Sequence, residues 1–266
     1  MTRHRLPAIR RARDFWLYGF DDNRYLDLWQ NDGRAYYGHN PKGLALDLKN
    51  RLSPSLYSPF PHPVFGKVLK LVAQVFPGTT PLIFPSFDTF LSFAREKGFP
   101  SLPPDPWSLL EWTGALAEKV QLFRPDRPLP VSSSLPYLVP LLPVPADLGV
   151  VLVLATERSQ PTNPNLLPQS TPLQLTGLLW GLRLWASHLG ADIPDDFPDS
   201  FPFFRREGRY LIPQASQEEY FGLFKFARAK GIVLNPRKSG ISILPRTSSS
   251  GGWKNILAVL EGPYEF

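Results

Sequence analysis

The run Asp22-Asn23-Arg24-Tyr25-Leu26-Asp27, followed by Gly33 and then by Gly38-His39-Asn40-Pro41, constrains this chain more than any other feature. Phe15–Gly19 and Arg24–Asp27 each have the composition of a short strand, and Asp21-Asp22-Asn23 between them supplies the turn chemistry of a hairpin. Asn23 is expected to take the left-handed conformation there, because a short polar side chain tolerates it. Gly33, Gly38 and Asn40-Pro41 then punctuate an irregular passage. Leu44–Leu52 is helix-like, and Ser53–Pro63 is an extended, proline-bound exit. Taken alone, the residues describe an ordered N-terminal unit.

The rest of the chain must be built from short pieces. Of 266 residues 31 are proline, clustered from Pro54 to Pro213, so stiff connections and few long helices are expected. A hydrophobic content of 43% with 13% aromatics is that of a globular chain. The length allows one large domain, or a large and a small one. With no cysteine, disulfides, thiol nucleophiles and thiolate metal sites are excluded. Part of the +6 net charge sits in Arg3, Arg5, Arg10, Arg11 and Arg13. That run reads first as a solvated basic arm, with nucleic-acid contact as the alternative. No apolar core follows it, as a signal peptide would require. Leu135–Leu142 and Leu148–Ala155 are too short or too proline-broken to span a bilayer. A soluble cytoplasmic protein without membrane contact is expected.

Along the chain, Val64–Phe76 has a helical period of apolar residues. Pro81–Pro85 reads as a buried strand, and Ser86–Lys97 as a helix stopped by Gly98. Trp107–Leu122 reads as a helix carrying Leu109, Leu110, Trp112, Leu116 and Val120. Phe123–Pro145 is expected to form short extended pieces. Gly149–Ala155, apolar on both faces, belongs inside a sheet. Thr171–Leu189, with Pro172 at its first position and Gly190 past its end, is apolar nearly all round, so core or another subunit must bury it. Ala191–Phe204 reads as an acidic, aromatic linker and Tyr210–Ile212 as a strand. Ser216–Lys230 is a helix with a Ser216/Glu219 capping box and a Gly231 stop. Ile232–Asn235 and Ile241–Leu244 are strands, and Trp253–Leu260 is a last helix.

The entry motif and its spacing resemble the opening of class III pyridoxal-phosphate (PLP) aminotransferases, a D-G-x-x-Y-L-D hairpin followed by a G-H-x-x-P turn, with Asn23 in place of the usual glycine. The tail Ala227-Arg228-Ala229-Lys230-Gly231-Ile232-Val233-Leu234-Asn235-Pro236 looks like the family's C-terminal small domain. The resemblance implies an α/β, fold type I architecture with a reduced large domain and a small α+β domain built from both termini. The expected segments are 1–63 for the first part of the small domain, 64–200 for the reduced large domain and 201–266 for the rest. Strands Ile232–Asn235 and Ile241–Leu244 are expected to extend or pack beside the N-terminal hairpin.

A PLP transaminase needs a Schiff-base lysine, a carboxylate on the pyridine nitrogen, a helix N-terminus for the phosphate and a stacking ring. No lysine occurs between Lys119 and Lys225, where the family's would lie. Lys119 precedes the main strand, and Lys225 and Lys230 belong to the small-domain helix. The chain has no Asp-Glu dipeptide, and Glu157 is the nearest substitute for the family's carboxylate. The family's Ser-Gly-Thr-Glu phosphate loop appears as Ser86-Phe87-Asp88-Thr89, with Phe87 at the glycine and an acid where an anion should bind. No histidine lies between His62 and His188, so the family's aromatic-plus-His stacking pair has no match. His4, His39, His62 and His188 are scattered singly, and His39 and His62 read as structural hydrogen-bonders beside turns. No zinc spacing, glycine phosphate loop or nucleophile elbow is present. Ser248-Ser249-Ser250-Gly251-Gly252 reads as a flexible loop with a helix cap, or as an anion-binding nest.

The expectation is therefore a catalytically inactive aminotransferase-like protein with no catalytic or metal residues and no cofactor. Ser86, Phe87, Asp88 and Thr89 would be a vestigial phosphate loop in which Ser86 or Asp88 caps the helix. The resemblance implies a homodimer, or a heterodimer with a full-length relative. Two other readings are an active PLP-dependent aminotransferase or aminomutase using Lys119, and a basic nucleic-acid-associated protein, although nucleic acid is not the expected partner.

Overall fold

The computed structural model describes residues 6–53, 62–102, 107–111, 118–127, 135–145, 148, 150–156, 170–187, 193–194, 197–246 and 250–262. The chain divides into two compact units: Met1–Pro41, Trp107–Leu110 and Gly190–Phe266 form the first, and Lys42–Pro106 and Glu111–Leu189 the second. The inner boundaries thus fall near residues 41 and 190, where the sequence suggested 63 and 200. The helix after Pro41 carries Asp47, whose carboxylate accepts a hydrogen bond from Trp180 Nε1 at 2.7 Å, and this ties it to the second unit.

In the first unit, β1 (Ile9–Arg13), β2 (Trp16–Gly19) and β3 (Arg24–Asp27) form an antiparallel meander. The arginine run expected as a solvated arm is in part an edge strand. Arg11, Ala12 and Arg13 pair with Tyr18, Leu17 and Trp16, and sheet pairing satisfies the backbone while the guanidinia stay in water. Asp22, not Asn23, takes the left-handed conformation at the hairpin, with φ 58°. The Asp21 carboxylate accepts from Asn23 N, and Asp shares Asn's tolerance of this region. After β3 comes a single turn, α1 (Gln30–Gly33).

The second unit starts with α2 (Leu44–Leu52) and α3 (Pro63–Val75), the latter capped by His62. Then come β4 (Thr80–Phe84), α4 (Phe87–Glu96), β5 (Val120–Phe123), β6 (Tyr137–Pro140), β7 (Val151–Ala155) and α5 (Pro172–Ser187). The sheet order is β4-β7-β6-β5, with only β5 and β6 parallel. Every residue of β7 is buried, as its unbroken apolar run required. On one face Ile83, Leu138, Leu152 and Leu154 share a core with Val64, Val68 and Val72 of α3 and Leu175, Leu178 and Leu182 of α5. On the other, Phe84 meets Phe90 and Phe93 of α4 at ring separations of 5.8 and 5.0 Å. The all-round apolar α5 is covered by α2, α3 and the sheet. The expected helix over Trp107–Leu122 is not found in its described parts. Trp107–Leu110 is turn and bend, and Val120–Leu122 belongs to β5. Pairing with β6 places the Val120 and Leu122 side chains in the core, and that burial outweighs a weak helical period.

The chain then returns to the first unit with β8 (Ser200–Phe201), β9 (Phe204–Glu207), β10 (Tyr210–Pro213), α6 (Gln217–Ala229), β11 (Ile232–Val233), β12 (Ser242–Ile243) and α7 (Ser250–Glu261). The stretch expected as a linker contributes β8 and the start of β9, because Phe201 and Phe204 are core residues. Arg206 fastens it to the carbonyls of Phe197, Pro198 and Gly208 and to Asp199. β11 pairs in parallel with β3, Ile232 opposite Leu26, so both termini build one sheet. β12 pairs with β10 and also reaches the N-terminal segment, where Ile243 N donates to Leu28 O at 2.6 Å. Tyr220, Leu223 and Phe224 of α6 and Ile256, Val259 and Leu260 of α7 close this core.

Candidate functional site

Among the described residues, two places gather the polar side chains that bear on function. The first, in the second unit, is the turn from β4 into α4. Ser86 is extended, with φ −149° and ψ 164°, and its Oγ accepts from Thr89 N at 3.2 Å. Thr89 Oγ1 accepts from Ser86 N at 3.2 Å, completing a reciprocal capping box. Asp88 is exposed in the first turn, where its charge complements the helix dipole. Phe87 is half-buried, its ring 6.0 Å from that of Phe90. The preceding carbonyl, Pro85 O, accepts from Gln174 Nε2 of α5 at 2.8 Å. Amides that could have received an external anion are thus partly engaged by the chain itself.

Lys119 lies just before β5, and its Nζ donates to Gly98 O at 2.8 Å, closing the turn after α4. His62 Nδ1 accepts from Val64 N at 3.2 Å, so this imidazole caps α3. Glu157, His4 and His188 lie outside the described residues, as do Ser248 and Ser249 of the serine-glycine loop. Among the described residues no three His, Asp or Glu side chains converge as metal ligands would.

The second place, in the first unit, is the turn α1 and what holds it. Gln30, Asn31, Asp32 and Gly33 have φ of 50°, 48°, 59° and 97°, a left-handed turn in which three residues are not glycine. Such residues cost roughly 1–2 kcal/mol each, so other contacts must fix them. Asp27, almost fully buried, accepts from Trp29 N and Gln30 N through Oδ1, both at 2.9 Å. Its Oδ2 lies 2.8 Å from His39 Nε2, which carries the hydrogen because the carboxylate can only accept. Asp32 accepts from Trp29 Nε1 at 3.1 Å, Asn235 Nδ2 at 2.9 Å and Arg237 Nη2 at 2.6 Å. Gln30 Nε2 donates to Ile243 O at 3.0 Å. Burial pushes the Arg34 guanidinium below its ordinary range, while nearby Asp32 pulls it back. Tyr220 OH donates to Asn235 O at 2.8 Å, and burial raises this phenol strongly. His39 contributes hydrogen bonds of position: besides its ring bond, its backbone exchanges two with Asp14. The cluster binds the N-terminal motif to the C-terminal strands. Sequence inspection missed it because Asn235 and Arg237 are some two hundred residues away from Asp32. Its one local signal is Asn31-Asp32-Gly33, three residues that tolerate positive φ.

The fold is that of the PLP-dependent transferases of fold type I. An ornithine aminotransferase from Plasmodium yoelii superimposes with a TM-score of 0.68 at 11% identity, spanning 98% of this chain and 94% of that one. The Plasmodium falciparum ornithine delta-aminotransferase gives 0.66 at 11% over 98% and 94%. N-acetylornithine aminotransferase from Stenotrophomonas maltophilia gives 0.61 at 12% over 96% of both chains. At such identities the likeness is one of fold. By sequence, an uncharacterized Treponema pallidum protein is 22% identical over 91% of this chain and 90% of its own length. An uncharacterized Borreliella burgdorferi protein is 41% identical over 71 residues, 27% of this chain and 26% of that protein. No family model matches.

Proposed function

We propose that this protein is a catalytically inactive member of the aminotransferase-like fold, kept as an interaction or structural subunit and working without PLP. The observation that carries the reading is the absence of any lysine between Lys119 and Lys225, together with the engagement of Lys119 Nζ by Gly98 O. A Schiff-base nitrogen must reach a carbonyl carbon of the cofactor. An amine closing a turn after α4 is poorly placed for that. The turn at Ser86 does not fit a phosphate-bearing ligand either. Thr89 N is taken by Ser86 Oγ, a carboxylate stands in the first turn, and Phe87 replaces the small residue that lets backbone approach phosphate.

A subunit role is supported by exposed apolar side chains on the outer helices of the second unit, Leu46 and Leu52 on α2 and Phe65 and Leu69 on α3. The reading extends to a homodimer, or a heterodimer with a full-length relative, and to a cytoplasmic location. No helix among the described residues is long and apolar enough to cross a membrane. The test is an absorbance scan of the purified protein with added PLP, before and after borohydride. No reducible internal-aldimine band is expected. A band that borohydride fixes to a peptide, abolished by Lys119→Ala, would overturn the proposal.

A further inference from the structure

We draw no further inference here: the strongest candidate, the surface patch of α3 on which Phe65 and Leu69 stand exposed beside Lys67 and Lys70, belongs to the subunit surface already described, and nothing in the structure shows what covers it.

Discussion

Asp32 shows how much a single side chain carries in this fold. Its two oxygens receive three donors from Trp29, Asn235 and Arg237, while its own backbone sits at φ 59°. Asp32→Asn keeps the size and the tolerance of positive φ but removes the charge and sets an amide donor where Oδ2 accepted from Arg237, so the ion pair is lost. Hydrogen bonds to charged groups contribute about 1.5–3 kcal/mol, and Arg237 is a third exposed, which screens the pair. A loss near the lower end, about 1.5 kcal/mol, is expected in urea unfolding with an unchanged m-value. Gly38 is constrained differently. At φ +87° an added Cβ would stand 3.0 Å from Asp14 Cα, which is backbone and cannot swing away. Gly38→Ala should therefore lower the melting temperature more than Gly78→Ala, where φ is +75° but nothing lies within 4 Å. Equal losses would mean that strain alone, not the approach of Asp14, explains the glycine.

At the scale of elements, the helix starts are where local chemistry is best resolved. Ser86→Ala removes one arm of the α4 box and is expected to cost about 1 kcal/mol, read from the unfolding midpoint. Phe87→Gly with Asp88→Thr should lower the melting temperature and admit phosphate weakly. Micromolar PLP binding by the wild type would show instead that the turn was never closed. α6 offers a pH test. Glu219 accepts from Ser216 N, and its bonds with Ser216 hold its carboxyl below the ordinary range. A folded pKa that is depressed means stability fully present above the unfolded value and lost as pH falls through the folded one. The wild type should therefore lose stability below about pH 4.5 more steeply than Glu219→Gln, which keeps an acceptor without the proton linkage. Parallel acid limbs for the two proteins would assign the acid loss to other carboxylates.

For the whole molecule, α5 is buried by its own unit, so it no longer argues for a partner; the exposed Leu46, Leu52, Phe65 and Leu69 do. A subunit interface that covers those side chains should bury more than about 2,000 Å² in total. Light scattering at micromolar concentration is expected to give a dimer mass, and Phe65→Asp with Leu69→Lys to convert it to monomer without loss of helicity. A wild-type monomer would remove the oligomeric part of the proposal.

The sequence by itself determined the elements whose information is local: the β2–β3 hairpin, the strand β7, the capped helices α4 and α6, and the order that brings both termini into one sheet. Each rests on periodicity, turn residues or caps acting within a few positions. It also set the lysine gap, a matter of composition alone. Only the tertiary structure decided that Val120–Leu122 is strand and not helix, that Phe201 and Phe204 are core and not linker, and that an arginine run forms a sheet edge. Those outcomes depend on which surface each segment meets, and burial against distant residues outweighs the few tenths of a kcal/mol per residue that local propensity supplies. The same holds for α1. Asn31, Asp32 and Gly33 permit a left-handed turn, but Asn235 and Arg237, arriving from far along the chain, together with the nearby Asp27, make it the one adopted.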